Sequence, residues 1–208
     1  QDASVNFADR EEAAVKALCE YYGLDPQHDQ SYFYFMNKHL FSGIDVDLAN
    51  THVPSGVGDI QANCDAYNAM LAENPVDIQL LGIGGNGHIG FNEPDDVFTL
   101  ETHPVVLDES TIEANARFFD GDVNQVPKTA LTVGVGTILS SREVMILATG
   151  HAKAQAVKQG VEGAYNHSWT ITALQVHPKG VLVIDDAAAQ ELKVSTYRYF
   201  KDIEKDNL

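Results

Sequence analysis

Four side chains able to donate, accept or move a proton fall close together in the segment GGNGHIGFNEP: Asn86, His88, Asn92 and Glu93. Imidazole is the side chain whose ordinary pKa lies nearest neutrality, so His88 can work as a general acid or base, and the Glu93 carboxylate can orient it. The surrounding glycines (Gly82, Gly84, Gly85, Gly87 and Gly90) let backbone approach a ligand closely and expose N–H groups to an anion. Acid–base chemistry on a small polar ligand is the expectation. The plainer reading is a glycine-rich turn with a solvent-facing His and Glu, but two amides, an imidazole and a carboxylate are more than a turn requires. Gly82, Gly84 and Gly87 also satisfy G-x-G-x-x-G after a strand, the dinucleotide fingerprint. That fingerprint needs a helix opening at its third glycine, and the Asn92-Glu93 turn closed by Pro94 leaves no room for one. No nicotinamide, flavin or other cofactor is expected.

Something must hold this loop. Val76–Leu81 is an almost wholly apolar run, too short for a helix and suited to a strand buried on both faces. REVMILATG (142–150) and KGVLVID (179–185) read as two more such strands, each followed by a helix, over HAKAQAVKQGVEG and over DAAAQELK. Residues 169–177 read as a short helix and STYRYFKDIEKDN as a C-terminal one. Upstream, DREEAAVKALCEYY (9–22) has a capping pattern and predicts a helix. SYFYFMNKHLF (31–41) predicts an aromatic helix with Phe33, Met36, Leu40 and Phe41 turned inward. Residues 42–58 read as a connection, about 59–73 as a helix, THPVVLDES as a strand, STIEANARFF as a helix, and VPKTALTVGVGTILSS as a strand and short helix. This alternation implies an α/β fold: a Rossmann-like, open, mostly parallel sheet with helices on both faces, forming a single domain over 1–208. A site at the carboxyl ends of its strands follows.

The net charge of −17, from 13 basic and 30 acidic residues, argues against nucleic acid or an anionic membrane as partner. It leaves room for a small phosphorylated ligand, which needs only a few local cations. The two cysteines, Cys19 and Cys64, form no framework, no apolar run reaches membrane-spanning length, and no signal pattern opens the chain, so a cytoplasmic protein is expected. The eight histidines show no metal-ligand spacing and there is no G-x-S-x-G elbow, so neither a metal site nor a serine nucleophile is expected.

GIGGNGHIGFNEP resembles the signature of the glucosamine-6-phosphate deaminases. The resemblance extends from about Glu20 to the C-terminus through EYYGL, EANARFF, DGDVNQVPKTALTVGVGTIL, GHAKA, WTITALQVHPKG and ELKVSTYRYF. Such enzymes convert glucosamine 6-phosphate and water to fructose 6-phosphate and ammonia without a redox cofactor. The resemblance implies that His88 opens the sugar ring, assisted by Asn86 and Glu93, and that Gly82, Gly84, Arg117 and Lys153 bind substrate, the two cations at its phosphate. Lys153 follows a strand-end glycine at a helix start, where helix dipole and ammonium both favour an anion. The resemblance also implies a homo-oligomer, a hexamer in the longer branch of the family, here without that branch's allosteric response.

Two departures shape the expectation. A Gly/Thr/Ser-rich phosphate loop of the ATGSTP kind precedes the matching region in the family and is not found in this chain. The family's D-E-Y carries the aspartate that deprotonates C2 of the sugar, and the aligned residue here is Cys19, in a stretch read as helix rather than strand. A thiol is a base only as thiolate. The readings that follow are an active deaminase, a catalytically silent sugar-phosphate-binding homologue, and, disfavoured by FNEP, a 6-phosphogluconolactonase-like hydrolase.

Overall fold

A computed structural model describes residues 14–207, which gather into two compact units. The first contains residues up to Met70 together with Thr102–Val133, the second Leu71–Glu101 together with Gly134 onward. The class is mixed α/β, and among the described residues three of the five strand pairings are parallel.

In the first unit, β1 (Val15–Lys16) pairs in parallel with β3 (Thr51–His52). β2 (Cys19–Tyr21) pairs antiparallel with β6 (Thr129–Thr132), whose other edge carries β5 (His103–Val106), also antiparallel. The helix expected over 9–22 is thus corrected: residues 9–13 lie outside the described residues, and 14–22 hold two short strands. β-sheet hydrogen bonding and the burial of Cys19, Glu20 and Tyr21 override the local capping pattern. Helix α1 (Tyr32–His39) begins at Ser31, whose Oγ accepts from the Tyr34 N–H. The buried Glu20 carboxylate accepts from the backbone N–H groups of Tyr21, Tyr32 and Phe33, at 2.8, 2.9 and 2.8 Å. It fastens β2 to the first turn of α1, taking up donors that a helix start leaves over.

The aromatic stripe of α1 is a second correction. Phe33 and Leu40 are exposed and only Phe41, in the 3-10 turn after the helix, is buried, because the helix is tied down through its N-terminus. α2 (Ile60–Glu73) starts at Asp59, whose carboxylate accepts from the Ala62 N–H. Its Tyr67 hydroxyl donates to the Ala17 carbonyl at 2.7 Å. α3 (Glu109–Asn115) ends in a 3-10 turn, Ala116–Phe118.

In the second unit, β4 (Ile78–Leu81), β7 (Glu143–Ala148) and β8 (Gly180–Ile184) form a parallel sheet in the order β4-β7-β8. β4 and β7 are not buried on both faces as their composition suggests. They alternate: Leu81, Val144, Ile146 and Ala148 are buried, while Ile78, Leu80, Met145 and Leu147 are exposed, as are Val181 and Val183 of β8. Among the described residues one face of this sheet is covered. α4 (Val135–Leu139) follows Gly134, where a Cβ would lie 2.3 Å from the Glu101 carbonyl oxygen. α5 (Ala154–Glu162) packs through Gly160 against Ile171 of a 3-10 segment, Thr170–Val176. The helix expected directly after β8 is a run of turns, and α6 (Val194–Ile203) follows it. No helix among the described residues is long and apolar enough to cross a membrane.

Candidate active site

β4 ends at Leu81, and the glycine loop that leaves it folds back on itself. The Gly84 N–H donates to the His88 carbonyl at 2.9 Å and the Gly87 N–H to the Gly84 carbonyl at 3.1 Å. Ile89 and Asn92 form an isolated antiparallel bridge, reinforced by the Asn92 side-chain amide on the Ile89 carbonyl at 2.8 Å. This tight return brings Glu93 beside His88.

One oxygen organises the pair. Glu93 Oε2 lies 3.0 Å from His88 Nδ1 and accepts from the Asn86 side-chain amide at 2.7 Å. Their side chains retain 13% (His88) and 5% (Glu93) of their accessible surface, so the contact is largely desolvated. A carboxylate only accepts, so Nδ1 carries the proton and a neutral imidazole keeps its lone pair on Nε2. Nε2 is therefore the atom able to take or give a proton to a ligand, with Glu93 stabilising the charge that His88 acquires. The His88 ring lies over Gly84: a Cβ there would meet Cε1 at 2.5 Å and Nε2 at 2.6 Å. Gly84 thus makes room for the imidazole. Gly87 makes room for Trp169, whose ring a Cβ would meet at 2.4 Å, and its φ of +80° suits glycine. Gly82 is exposed, and a Cβ there would meet nothing within 4 Å.

The loop after β7 lies beside the loop after β4, since the two strands are parallel neighbours. Lys153, in the 3-10 turn that opens α5, donates from Nζ to the Ile83 carbonyl at 2.7 Å. Asp185, just past β8, accepts from the Gly150 N–H at 3.0 Å, holding the start of that turn. Hydrogen bonds from the Ala188 and Gly150 N–H groups pull the Asp185 carboxyl below its ordinary value. Thr170, in the 3-10 segment, accepts from the Ile89 N–H and donates to the Asn92 carbonyl. Neither Asp185 nor Thr170 was signalled by the sequence pattern.

The second unit therefore brings together Asn86, His88, Glu93, Gly84 and Lys153, with Gly82 at the strand end. Arg117 belongs to the first unit, where its exposed guanidinium stacks on the Phe118 ring at 4.6 Å. Cys19, also of the first unit, is 7% exposed in β2. Burial pushes its thiol far above the ordinary value, the neighbouring Glu20 charge pushes the same way, and a Tyr32 side-chain hydrogen bond only partly offsets them. It is a neutral thiol at physiological pH, not a base. Among the described residues no group of three or more His, Cys, Asp or Glu side chains is arranged to hold a metal.

Residues 23–184 match the model of the glucosamine-6-phosphate isomerases/6-phosphogluconolactonase family. The chain is 53% identical over 191 residues to a glucosamine-6-phosphate deaminase of Porphyromonas gingivalis, covering 91% of this chain and 73% of that protein. It is 50% identical over 191 residues to one of Treponema denticola, covering 91% of this chain and 71% of that protein. A solved monomeric glucosamine-6-phosphate deaminase superposes with a TM-score of 0.83 at 41% identity, over 86% of this chain and 75% of that one. The 6-phosphogluconolactonase of Trypanosoma brucei shares the fold at a TM-score of 0.66 and 17% identity, over 86% of this chain and 73% of that one. With its signature loop at the end of a parallel strand and its family match spanning both units, the chain belongs to the glucosamine-6-phosphate isomerase/6-phosphogluconolactonase family.

Proposed function

We propose that this chain is a glucosamine-6-phosphate deaminase, converting glucosamine 6-phosphate and water to fructose 6-phosphate and ammonia. The observation that carries the reading is the convergence of Asn86 and His88 on one Glu93 oxygen. Opening the pyranose ring requires a proton to leave the anomeric hydroxyl and another to reach the ring oxygen. A neutral imidazole can take the first through Nε2 and deliver it to the second, while Glu93 and Asn86 hold the ring in place. We assign the substrate phosphate to Lys153 and Arg117, and close backbone approach of the sugar to Gly82 and Gly84. Isomerisation then needs removal of the C2 proton, and the buried Cys19 thiol is unsuited to that step.

We also propose that residues 1–208 act as a single domain, since each compact unit is built from two separate stretches of chain. The proposed setting is the cytoplasm, with both cysteines reduced. A homo-oligomer is proposed from the ELKVSTYRYF segment. The solved deaminase is described as monomeric, so the mass in solution discriminates between the two states.

The state of Cys19 favours one second reading, a sugar-phosphate-binding homologue without turnover. Ammonia and fructose 6-phosphate are measured together with the melting temperature in the presence of substrate. Stoichiometric products support the deaminase. A ligand-raised melting temperature without products supports the binder, and neither response contradicts both.

A further inference from the structure

Thr170 is 3% exposed and its hydroxyl is used twice on the loop that carries His88 and Glu93. Its Oγ1 accepts from the Ile89 N–H at 3.1 Å and donates to the Asn92 carbonyl at 2.8 Å; the Gly87 carbonyl lies farther off, at 3.4 Å. A hydroxyl has one proton to give, and Asn92 is the nearer acceptor. Ile89 directly follows His88, and Asn92 directly precedes Glu93. One side chain therefore grips the loop immediately inside both members of the acid–base pair.

The grip is anchored. The Ile171 N–H donates to the Gly87 carbonyl at 2.9 Å, and the Trp169 ring fills the space that glycine leaves at position 87. The turn before Thr170 is closed by Thr172, whose Oγ1 accepts from the Asn166 N–H at 3.0 Å and contacts the Trp169 carbonyl at 2.7 Å. Gln175 fixes the same 3-10 segment to the end of α5, donating to the Gly160 and Gly163 carbonyls at 2.9 Å.

We infer that Thr170 is a positioning residue for the His88–Glu93 pair. Removing its hydroxyl leaves the Ile89 N–H and the Asn92 carbonyl without that shared partner in a buried site, and the loop relaxes to satisfy them. Proton transfer depends on sub-ångström placement of His88, so the loss falls on the chemical step rather than on sugar-phosphate binding. This rests on the deaminase reading for its kinetic arm only.

The test compares wild type, Thr170→Val and Thr170→Ser in the full chain. Thr170→Val is expected to lower kcat for ammonia release by about 10- to 100-fold with KM for glucosamine 6-phosphate little changed, while Thr170→Ser stays near wild type. A second readout is independent of turnover: the downfield, slowly exchanging Nδ1 proton of His88 in nitrogen-labelled protein. It is expected in wild type and Thr170→Ser and absent in Thr170→Val. Thr170→Ala carries the same expectation if the valine variant does not fold. A wild type that releases no ammonia would refute the deaminase reading alone, and the proton signal would then decide. An unchanged signal and kcat in the variants lacking the hydroxyl, or loss of either in Thr170→Ser, would overturn the inference.

Discussion

His88 Nδ1 stands 3.0 Å from Glu93 Oε2, the same oxygen that takes the Asn86 amide at 2.7 Å. The imidazole is therefore held in one tautomer by a charged partner, and that partner is fixed by a neutral one. Glu93→Gln keeps an acceptor but removes the charge that stabilises a protonated His88. It is expected to lower kcat by about 10²- to 10⁴-fold, with Asn86→Ala milder because it removes only the support. Steady-state kinetics at saturating substrate check the order of the two variants. Equal, small effects would mean that the carboxylate does not serve the ring.

The two glycines assigned to substrate make different demands. Gly84→Ala drives a methyl into the His88 ring, so kcat should drop by about 10-fold or more while the chain still folds. Gly82→Ala meets nothing in the protein. If the sugar approaches the backbone there, its effect appears in KM alone, and an unchanged KM would remove Gly82 from the binding surface.

Cys19 provides a negative prediction. A buried neutral thiol does not take a proton from carbon, so Cys19→Ala should leave kcat within about twofold and the shape of the pH profile unchanged. The cost appears as stability, about 1 kcal/mol from the volume lost in the core, read by chemical denaturation. Inactivation that parallels thiol modification in the native protein would contradict this.

Asp185 ties stability to acid pH. Its folded carboxyl is depressed by the Ala188 and Gly150 N–H groups, so the ionised form is favoured in the folded chain. Its contribution is fully present above the ordinary aspartate value of 3.8 and is lost as pH falls through the depressed one. Asp185→Asn should lower the melting temperature at neutral pH and flatten its decline below about pH 4. It should also weaken sugar-phosphate binding, because Gly150 opens the turn that carries Lys153. A decline identical to wild type would refute the linkage.

Much of this was legible in the residues. The strand–glycine–His–Glu order located the loop, and the apolar runs at 78–81, 143–148 and 180–184 found the three parallel strands. Residues 14–22 misled, because AVKALCEYY carries helical composition while its strands pair with residues more than thirty and a hundred positions away. The α1 stripe misled for a related reason: Glu20 fixes that helix by its N-terminus, leaving Phe33 in solvent. Thr170 was invisible because its partners are backbone atoms about eighty residues earlier, and backbone partners leave no mark on composition. Gly84 and Gly87 read as places where backbone approaches a ligand closely, and each also makes room for a ring of the protein itself, which no local pattern signals.

The central claim is that His88, oriented by Glu93, opens the ring of an amino-sugar phosphate. Its most direct test is the release of ammonia and fructose 6-phosphate from glucosamine 6-phosphate by the wild-type chain beside His88→Ala. The account predicts equal amounts of the two products from wild type and a rate at least about 100-fold lower from the variant, whose melting temperature stays close to wild type. Product release that survives the loss of His88 would contradict it.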